Sequence, residues 1–423
     1  MKERRGFSYA AVLTAAFVLW MPIALFGGQG FSTLLALTAI PALFFVRYKS
    51  LNTLVVTVLL LTIWSAISTI WSAENEAIIS GDLGEGNFSI GAAGLRIILT
   101  ALAGSLVIAA TLRIRPSTQI TLPFILAILC LHALTMLAIG LFPETALALY
   151  APTSDPVKEA PQNILRSANS LFLALPLLMG ALWLLRPAYR YVAVLIAFLL
   201  AGLTFYLVGS DVALFGLVAL GIGMTLAAIF QRYGFRILLG GVAVCIITAP
   251  VVLSAAAPVV VKSELPLSSS SKSRVFAWSL ATQKVAERPI TGHGIEASKE
   301  WRETFADEPE LLKLMEKSTD LKDIPWQQYR ILPGHPHNMG LQLWAEAGLV
   351  GVVMASIVLV LLAFALPPPA SLGAPAAIAT GGLIGTTFSL FSLSYSLWNE
   401  AFWANVALVA AALILFAKVT RRQ

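Results

Sequence analysis

Long apolar runs broken by short polar punctuation make up most of the chain. A run of about 20 residues crosses a hydrocarbon core as a helix. Twelve such spans are predicted, at 8–26, 30–46, 51–70, 91–112, 118–142, 169–186, 189–208, 212–231, 236–255, 338–364, 373–395 and 398–417. Gly27-Gly28 and Pro367-Pro368-Pro369 separate close neighbours. The first run follows Lys2, Arg4 and Arg5, lacks a small-residue cleavage site and is followed at once by another, so it reads as a retained helix. The expected fold is an all-α polytopic integral membrane protein in three parts. Residues 1–255 carry helices one to nine, 256–337 form one large loop with amphipathic helices, and 338–423 carry helices ten to twelve.

Charge orients this array. Hydrophobic residues are 58% of the chain and charged ones only 12%, against about 25% in soluble domains. With a cytoplasmic N-terminus, one side collects Lys2, Arg4, Arg5, Arg47, Lys49, Arg113, Arg115, Arg186, Arg190, Arg232, Arg236, Lys418, Arg421 and Arg422, half of the 28 basic residues, in very short loops. Such an excess marks the cytoplasmic face. Both termini are expected there, and the 256–337 loop opposite. The net charge of +6 sits at membrane edges, without a basic arm or stacking platform, so nucleic acid is not an expected partner and membrane lipids are. Cys130 and Cys245 lie inside spans and imply neither a disulfide framework nor a thiol metal site.

Polar chemistry is concentrated in the large loop. SRVFAWSLATQKVAERP predicts a helix on or near the membrane surface, with Val275, Trp278, Leu280 and Val285 on its apolar side and Pro289 ending it. The loop brings Arg274, Lys284, Arg288, His293, Arg302, Arg330, His335 and His337 to the outer face. Arginine forks match phosphate oxygens, so an anionic ligand is one reading. Snorkelling, or pairing with Glu287, Glu296, Glu300 and Glu303, is the other; Arg274 has no adjacent acid.

The loop runs into the tenth span through GHPHNMGLQLWAEAGLVG. Asn338 is placed to cap that helix, and Asn338, Gln342 and Glu346, four apart, form one polar stripe. Glu346 then lies roughly 13 Å below His337 and must face a bundle interior or a wet cavity. Gly348 and Gly351 permit close packing beneath it. His337 at the mouth can act as a general base on a hydroxyl, or simply bond a backbone carbonyl. His335, His337 and His293 could also hold a metal, although Pro336 and the lack of a carboxylate partner weigh against it. Asp211, at the outer end of the eighth span, is a functional charge or a helix N-cap. Asn163, Arg166 and Asn169, before the sixth span, are substrate contacts or a capped helix start.

RSANSLFLALPLL, then SRVFAW, RPITGHG and HNMGLQLWAEAGLVG, in that order over about residues 150–360, resemble the O-antigen ligase superfamily, which also contains O-antigen and exopolysaccharide polymerases. The resemblance implies a GT-C-like, lipid-dependent glycosyltransferase in the bacterial inner membrane, working at the periplasmic face without metal or cofactor. Its donor would be an O-antigen glycan on undecaprenyl pyrophosphate, and its acceptor the lipid A-core. The family's loop histidine maps onto His337 and its loop arginine onto Arg274. Members often carry Ser-Arg, whose arginine helps bind the pyrophosphate, where this chain has Ser210-Asp211, so either Arg166 or Arg288 supplies that cation or the donor is held differently. Asn338, Gln342, Glu346, His335, His293, Asn169 and Asp211 would support the site. Direct displacement at the anomeric carbon would invert it. Two other readings stay open, a polymerase sharing the same donor and a flippase for a polyanionic lipid. A flippase would favour internal repeats and charges along a through-path, and neither is evident.

Overall fold

The computed structural model describes residues 8–46, 53–74, 90–114, 121–155, 157–262, 269–317 and 325–421. Among them the regular structure is helical, and the one β-bridge is the isolated pair Thr304 and Arg330. The helices in chain order are α1 (Tyr9–Leu25), α2 (Phe31–Ala42), α3 (Thr53–Ile67), α4 (Ala93–Thr111), α5 (Thr121–Leu141), the short α6 (Pro143–Tyr150), α7 (Glu159–Leu182), α8 (Pro187–Leu207), α9 (Asp211–Ile229) and α10 (Gly234–Lys262). The loop region then holds α11 (Ser269–Glu287) and α12 (Pro309–Glu316), and the chain ends with α13 (Met339–Ala365), α14 (Pro369–Leu372), α15 (Ala374–Leu393) and α16 (Glu400–Thr420). Ten of these are long and apolar enough to span a membrane, α3 counted with its 3₁₀ extension to Trp71; α1 and α2 are apolar but shorter, at 17 and 12 residues.

The spans are helical because an apolar medium leaves the backbone no partner but itself. Their ends are set by local chemistry. Ser8, Ser210, Asn338 and Asn399 each accept a first-turn N–H on a side-chain oxygen, and proline opens α6 and α8. At the bundle centre α15 packs closely on α7 and α9. A Cβ at Gly223 would lie 2.2 Å from the Gly381 carbonyl oxygen, and one at Gly385 would lie 2.2 Å from that of Ala219, so only glycine admits this approach. The two ends of the bundle differ. At one, Lys418 Nζ donates to the Leu112 and Ile114 carbonyls, and Arg236 lies 4.7 Å over the Phe364 ring. At the other gather the α1–α2 turn, the start of α7, the loop region and the α15–α16 turn.

Two expectations are corrected. The sixth span begins at Glu159, ten positions before 169, so Asn163, Arg166 and Asn169 lie within α7 and do not precede it. Hydropathy alone misses these turns because their polar side chains face protein: Ser167, Asn169 and Ser170 are all buried. The helix expected on the membrane surface, α11, instead buries Val275, Leu280 and Val285 inside the protein. Phe276, Leu280 and Ala281 join Phe305, Met315, Ile331 and Leu332 in a small core of the loop region, which is continuous with Ala249 on α10 and Leu341 on α13. The loop carries its own apolar partners, so α11 needs no lipid to cover it. Lys2, Arg4, Arg5, Arg47, Lys49, Arg115 and Arg422 lie outside the described residues, as do residues 75–89 between the third and fourth expected spans.

The tenth span is broken. Gly348 has φ 66 and ψ −168, a conformation open essentially to glycine, and α13 kinks there. The break frees backbone groups in mid-span, and the RPITGHG segment supplies their partners. His293 N donates to Ala345 O at 2.8 Å and Gly294 N to Glu346 O at 2.9 Å. In return Leu349 N donates to Pro289 O at 2.8 Å and Val350 N to Ile290 O at 3.3 Å. Trp64 Nε1 takes the Ala347 carbonyl at 3.1 Å. Gly348→Ala should therefore be strongly destabilising, since its Cβ would stand 2.3 Å from the Ile290 carbonyl oxygen. Gly240, whose Cβ would meet nothing within 4 Å, is the control. Thermal unfolding in detergent should show a large drop for Gly348→Ala and none for Gly240→Ala.

Candidate functional site

The loop core fixes α11, and α11 offers two residues one turn apart to the His335-Pro336-His337 turn. Trp278 Nε1 donates to the Pro336 carbonyl at 3.0 Å. Arg274 lies within electrostatic reach of His337 and of Asp211. Burial pulls the Arg274 guanidinium below its usual range and Asp211 pulls it back, yet it makes no hydrogen bond or ion pair among the described residues. A half-buried, unpaired guanidinium is a ready anion receptor.

His337 has φ 49, rare for a side-chain-bearing residue, and the strain is held from three sides. Its N–H donates to His335 Nδ1 at 3.2 Å, its ring Nδ1 meets the Ser394 carbonyl at 2.9 Å, and the next residue, Asn338, caps α13. A carbonyl only accepts, so Nδ1 carries the proton and Nε2 keeps a free lone pair. Burial lowers the His337 pKa, the Ser394 bond opposes that, and Arg274 lowers it further. His335, whose ring lies 4.1 Å from that of His337, is pushed down to about 3 by burial and then by His337. His335 is therefore neutral at ordinary pH, and the same burial biases His337 toward its neutral form.

The remaining expected residues divide. His293 is held apart from the pair: its Nε2 bonds the Lys284 carbonyl at 2.9 Å and its ring packs edge-on to Trp301. Among the described residues no three His, Cys, Asp or Glu side chains converge. Arg288 is exposed just past the C-terminal end of α11, 14 residues from Arg274 and so roughly 21 Å away along the helix axis. Arg302 pairs with Glu300 at 2.6 Å, as the surface reading expects. Ser210, one position before Asp211, is the cap of α9; Asp211 is exposed in its first turn. Asn169 is buried, accepts from Ser210 Oγ at 3.4 Å and donates to Tyr395 OH at 3.5 Å. Arg166 lines a separate cavity of about 120 Å³ with Tyr395, Asn399 and Asn405.

The polar stripe is confirmed in its spacing, but it faces packed protein and not a wet cavity. Gln342 and Glu346 are 1% and 0% exposed. Glu346 accepts from the N–H groups of Glu296 (3.0 Å) and Ser298 (3.4 Å), the Ser298 hydroxyl, Trp398 Nε1 and Gln342 Nε2 (3.3 Å). No cation reaches it among the described residues. Gln342 completes the clamp, donating to Ser396 Oγ at 2.9 Å and accepting from Leu397 N at 2.8 Å. The stripe thus ties the loop region and the α15–α16 turn to α13. Sequence reasoning missed that turn, SLSYSLWNE, although a run of polar and aromatic residues between two spans was its visible signal.

Residues 196–356 match the family model described as O-antigen ligase. A protein of Rickettsia conorii named as a putative polysaccharide ligase is 27% identical over 161 residues, covering 36% of this chain and 35% of that protein. A second, from Rickettsia bellii and named likewise, is 29% identical over 85 residues, covering 20% of this chain and 18% of its own length. The chain therefore spans about a third or less of the curated relatives it matches. The matched segment contains Arg274, His337, Glu346 and the RPITGHG loop, and excludes Arg166 and the α15–α16 turn.

The clamp makes a substitution at Glu346 informative. By shape alone Gln should be tolerated, but an amide turns one acceptor oxygen into a donor facing donors. Leaving buried groups unsatisfied costs about 1–3 kcal/mol each. Glu346→Gln should lower the thermal midpoint clearly, and Trp398→Phe, which removes one donor, should soften the loss in the double variant. An unchanged midpoint in Glu346→Gln would show that the carboxylate does not bind the loops together.

Proposed function

We propose, from the match of residues 196–356 to the O-antigen ligase family model, that this chain transfers a glycan from a polyprenyl pyrophosphate carrier to a saccharide hydroxyl. The donor is an undecaprenyl-pyrophosphate-linked O-antigen and the acceptor the lipid A-core. The site opens on the periplasmic side of the bacterial inner membrane and both termini are cytoplasmic. The cations at the opposite end of the bundle support that orientation, among them Arg113, Arg190, Arg232, Arg236 and Lys418.

One observation carries the reading: a histidine whose Nδ1 is engaged by a carbonyl, leaving Nε2 free, stands beside an unpaired arginine at the rim of a lipid-facing bundle. His337 Nε2 takes the proton of the acceptor hydroxyl as its oxygen attacks the anomeric carbon. The bond from that carbon to the pyrophosphate oxygen breaks, and the leaving group departs with both electrons, its charge met by Arg274. Displacement from the opposite face inverts the configuration. The neutral, Nδ1-protonated His337 described above is the form such a base needs. The proposed chemistry requires no metal, since a guanidinium can meet the charge of the departing pyrophosphate.

The test is transfer by the full chain in liposomes, with lipid-linked glycan and core acceptor. His337→Ala should lose at least about 100-fold in kcat while folding is retained, and His335→Ala should lose less. Since the base acts when neutral and its pKa is lowered, the acid limb of the pH–rate profile should lie below 6.5. In Arg274→Gln a charge that depresses His337 is gone, so the limb of the residual activity should move up in pH. A limb at or above 6.5 in the unaltered protein would remove His337 as the base. Transfer should also survive EDTA; a loss restored by zinc would require a metal-dependent route. In cells lacking the protein, polymer retained on its lipid carrier with uncapped core indicates the ligase, and single repeats on the core indicate a polymerase.

A further inference from the structure

Beside the His337 site lies a cavity of about 120 Å³, more than one water needs, between the α1–α2 turn, α7 and the start of α16. Its lining is rich in unused donors. Among the described residues the Arg166 guanidinium makes no hydrogen bond or ion pair. Asn405, fully buried, accepts from Trp20 Nε1 at 2.7 Å and donates one amide hydrogen to Ser170 Oγ at 3.3 Å, so its second hydrogen is spare. Asn399 spends its oxygen on the Phe402 N–H and keeps its amide hydrogens, and Tyr395 OH is met by Asn169 as an acceptor and keeps its own. The one acid in the lining, Glu400, is drawn to Arg96 at 3.5 Å. A cation with several neutral donors recognises an oxyanion.

Two further facts say whose oxyanion. Ser394, whose carbonyl holds His337, directly precedes Tyr395, so the cavity and Arg274 each adjoin the histidine through different elements. Arg274, which reaches the histidine from α11, answers the donor pyrophosphate in the transfer reading, so a second anion receptor reached through Tyr395 is left for the acceptor. We propose that this cavity is an acceptor subsite, seating a carboxylate or phosphate substituent of the acceptor saccharide while Arg274 seats the donor pyrophosphate. This rests on the glycosyl-transfer reading.

Calorimetric titration of the full chain in nanodiscs with glucose 6-phosphate, glucuronate and glucose tests it without turnover. At least one charged sugar should bind ten-fold or more tightly than glucose, and the stronger of the two tells phosphate from carboxylate. Arg166→Gln should weaken that binding at least ten-fold and Tyr395→Phe should weaken it less, which keeps the test sound if Arg166→Gln folds poorly. Arg274→Gln and His337→Ala should leave it intact. Equal binding of glucose and the charged sugars, no binding at millimolar concentration, or a loss through Arg274 in place of Arg166 would overturn the subsite. Transfer kinetics separate the two ideas: in Arg166→Gln the acceptor KM should rise and the donor KM should not, and a donor effect would overturn the assignment to the acceptor. Selective charged-sugar binding in a chain that transfers no glycan would sink the transfer reading while leaving an anion site.

Discussion

A helix that breaks inside an apolar medium must find partners for the backbone groups it releases, and most of this protein's functional end follows from how that need is met at Gly348. The carbonyls of Ala345 and Glu346 and the N–H groups of Leu349 and Val350 pair with Pro289 to Gly294. That pairing draws an otherwise exposed loop down against the bundle. Once the loop is fixed, α11 is fixed, and with it the spacing of Arg274 and Trp278 over the histidine turn. The positive-φ glycines Gly292, Gly294 and Gly348 share one cause: backbone there approaches backbone with no room for a Cβ.

The electrostatics divide in the same way. Glu346 is a buried acid surrounded by donors and, among the described residues, by no cation, so it holds elements together. Its neighbour in the loop, Glu296, meets Lys299 at 2.7 Å and Arg96 at 3.7 Å, and Arg96 also reaches Glu400. Acids and bases that pair form the frame. Arg274, near the histidine, and Arg166, in the adjoining cavity, have guanidinium groups without protein partners among the described residues. These two are the cations the frame leaves unsatisfied.

Hydrophobic periodicity made the twelve apolar helices legible, because a span must be apolar wherever it meets lipid. It failed where a helix meets protein: the polar first turns of α7 were invisible to it. Caps at Asn338 and the stripe at Gln342 and Glu346 were readable from side-chain type and four-residue spacing. What the stripe faces was not readable, since its partners at 296–298 and 396–398 are distant in sequence and three of them are backbone N–H groups that any residue supplies. The same holds for His337. Its residue type pointed to proton transfer, but the Ser394 carbonyl that sets its tautomer leaves no mark on the sequence. Arg166 and Arg288 looked equivalent on charge alone, and only the fold puts one in a cavity and the other on the surface.

The partners of Glu346 lie on both sides of it in the chain, 48 and 50 residues before and 52 residues after. Assembly therefore has an order. As α13 enters the membrane the loop segment already made can offer its N–H groups, while Trp398 is still to be synthesised. The carboxylate stays incompletely satisfied until the last helix pair is inserted and the α15–α16 turn closes over it. The same turn carries Ser394, so His337 cannot take up its oriented ring before the chain is nearly complete. An unfinished or truncated copy would be an inserted bundle whose histidine turn is not yet set, and the proposed base would be the last part of the site to form.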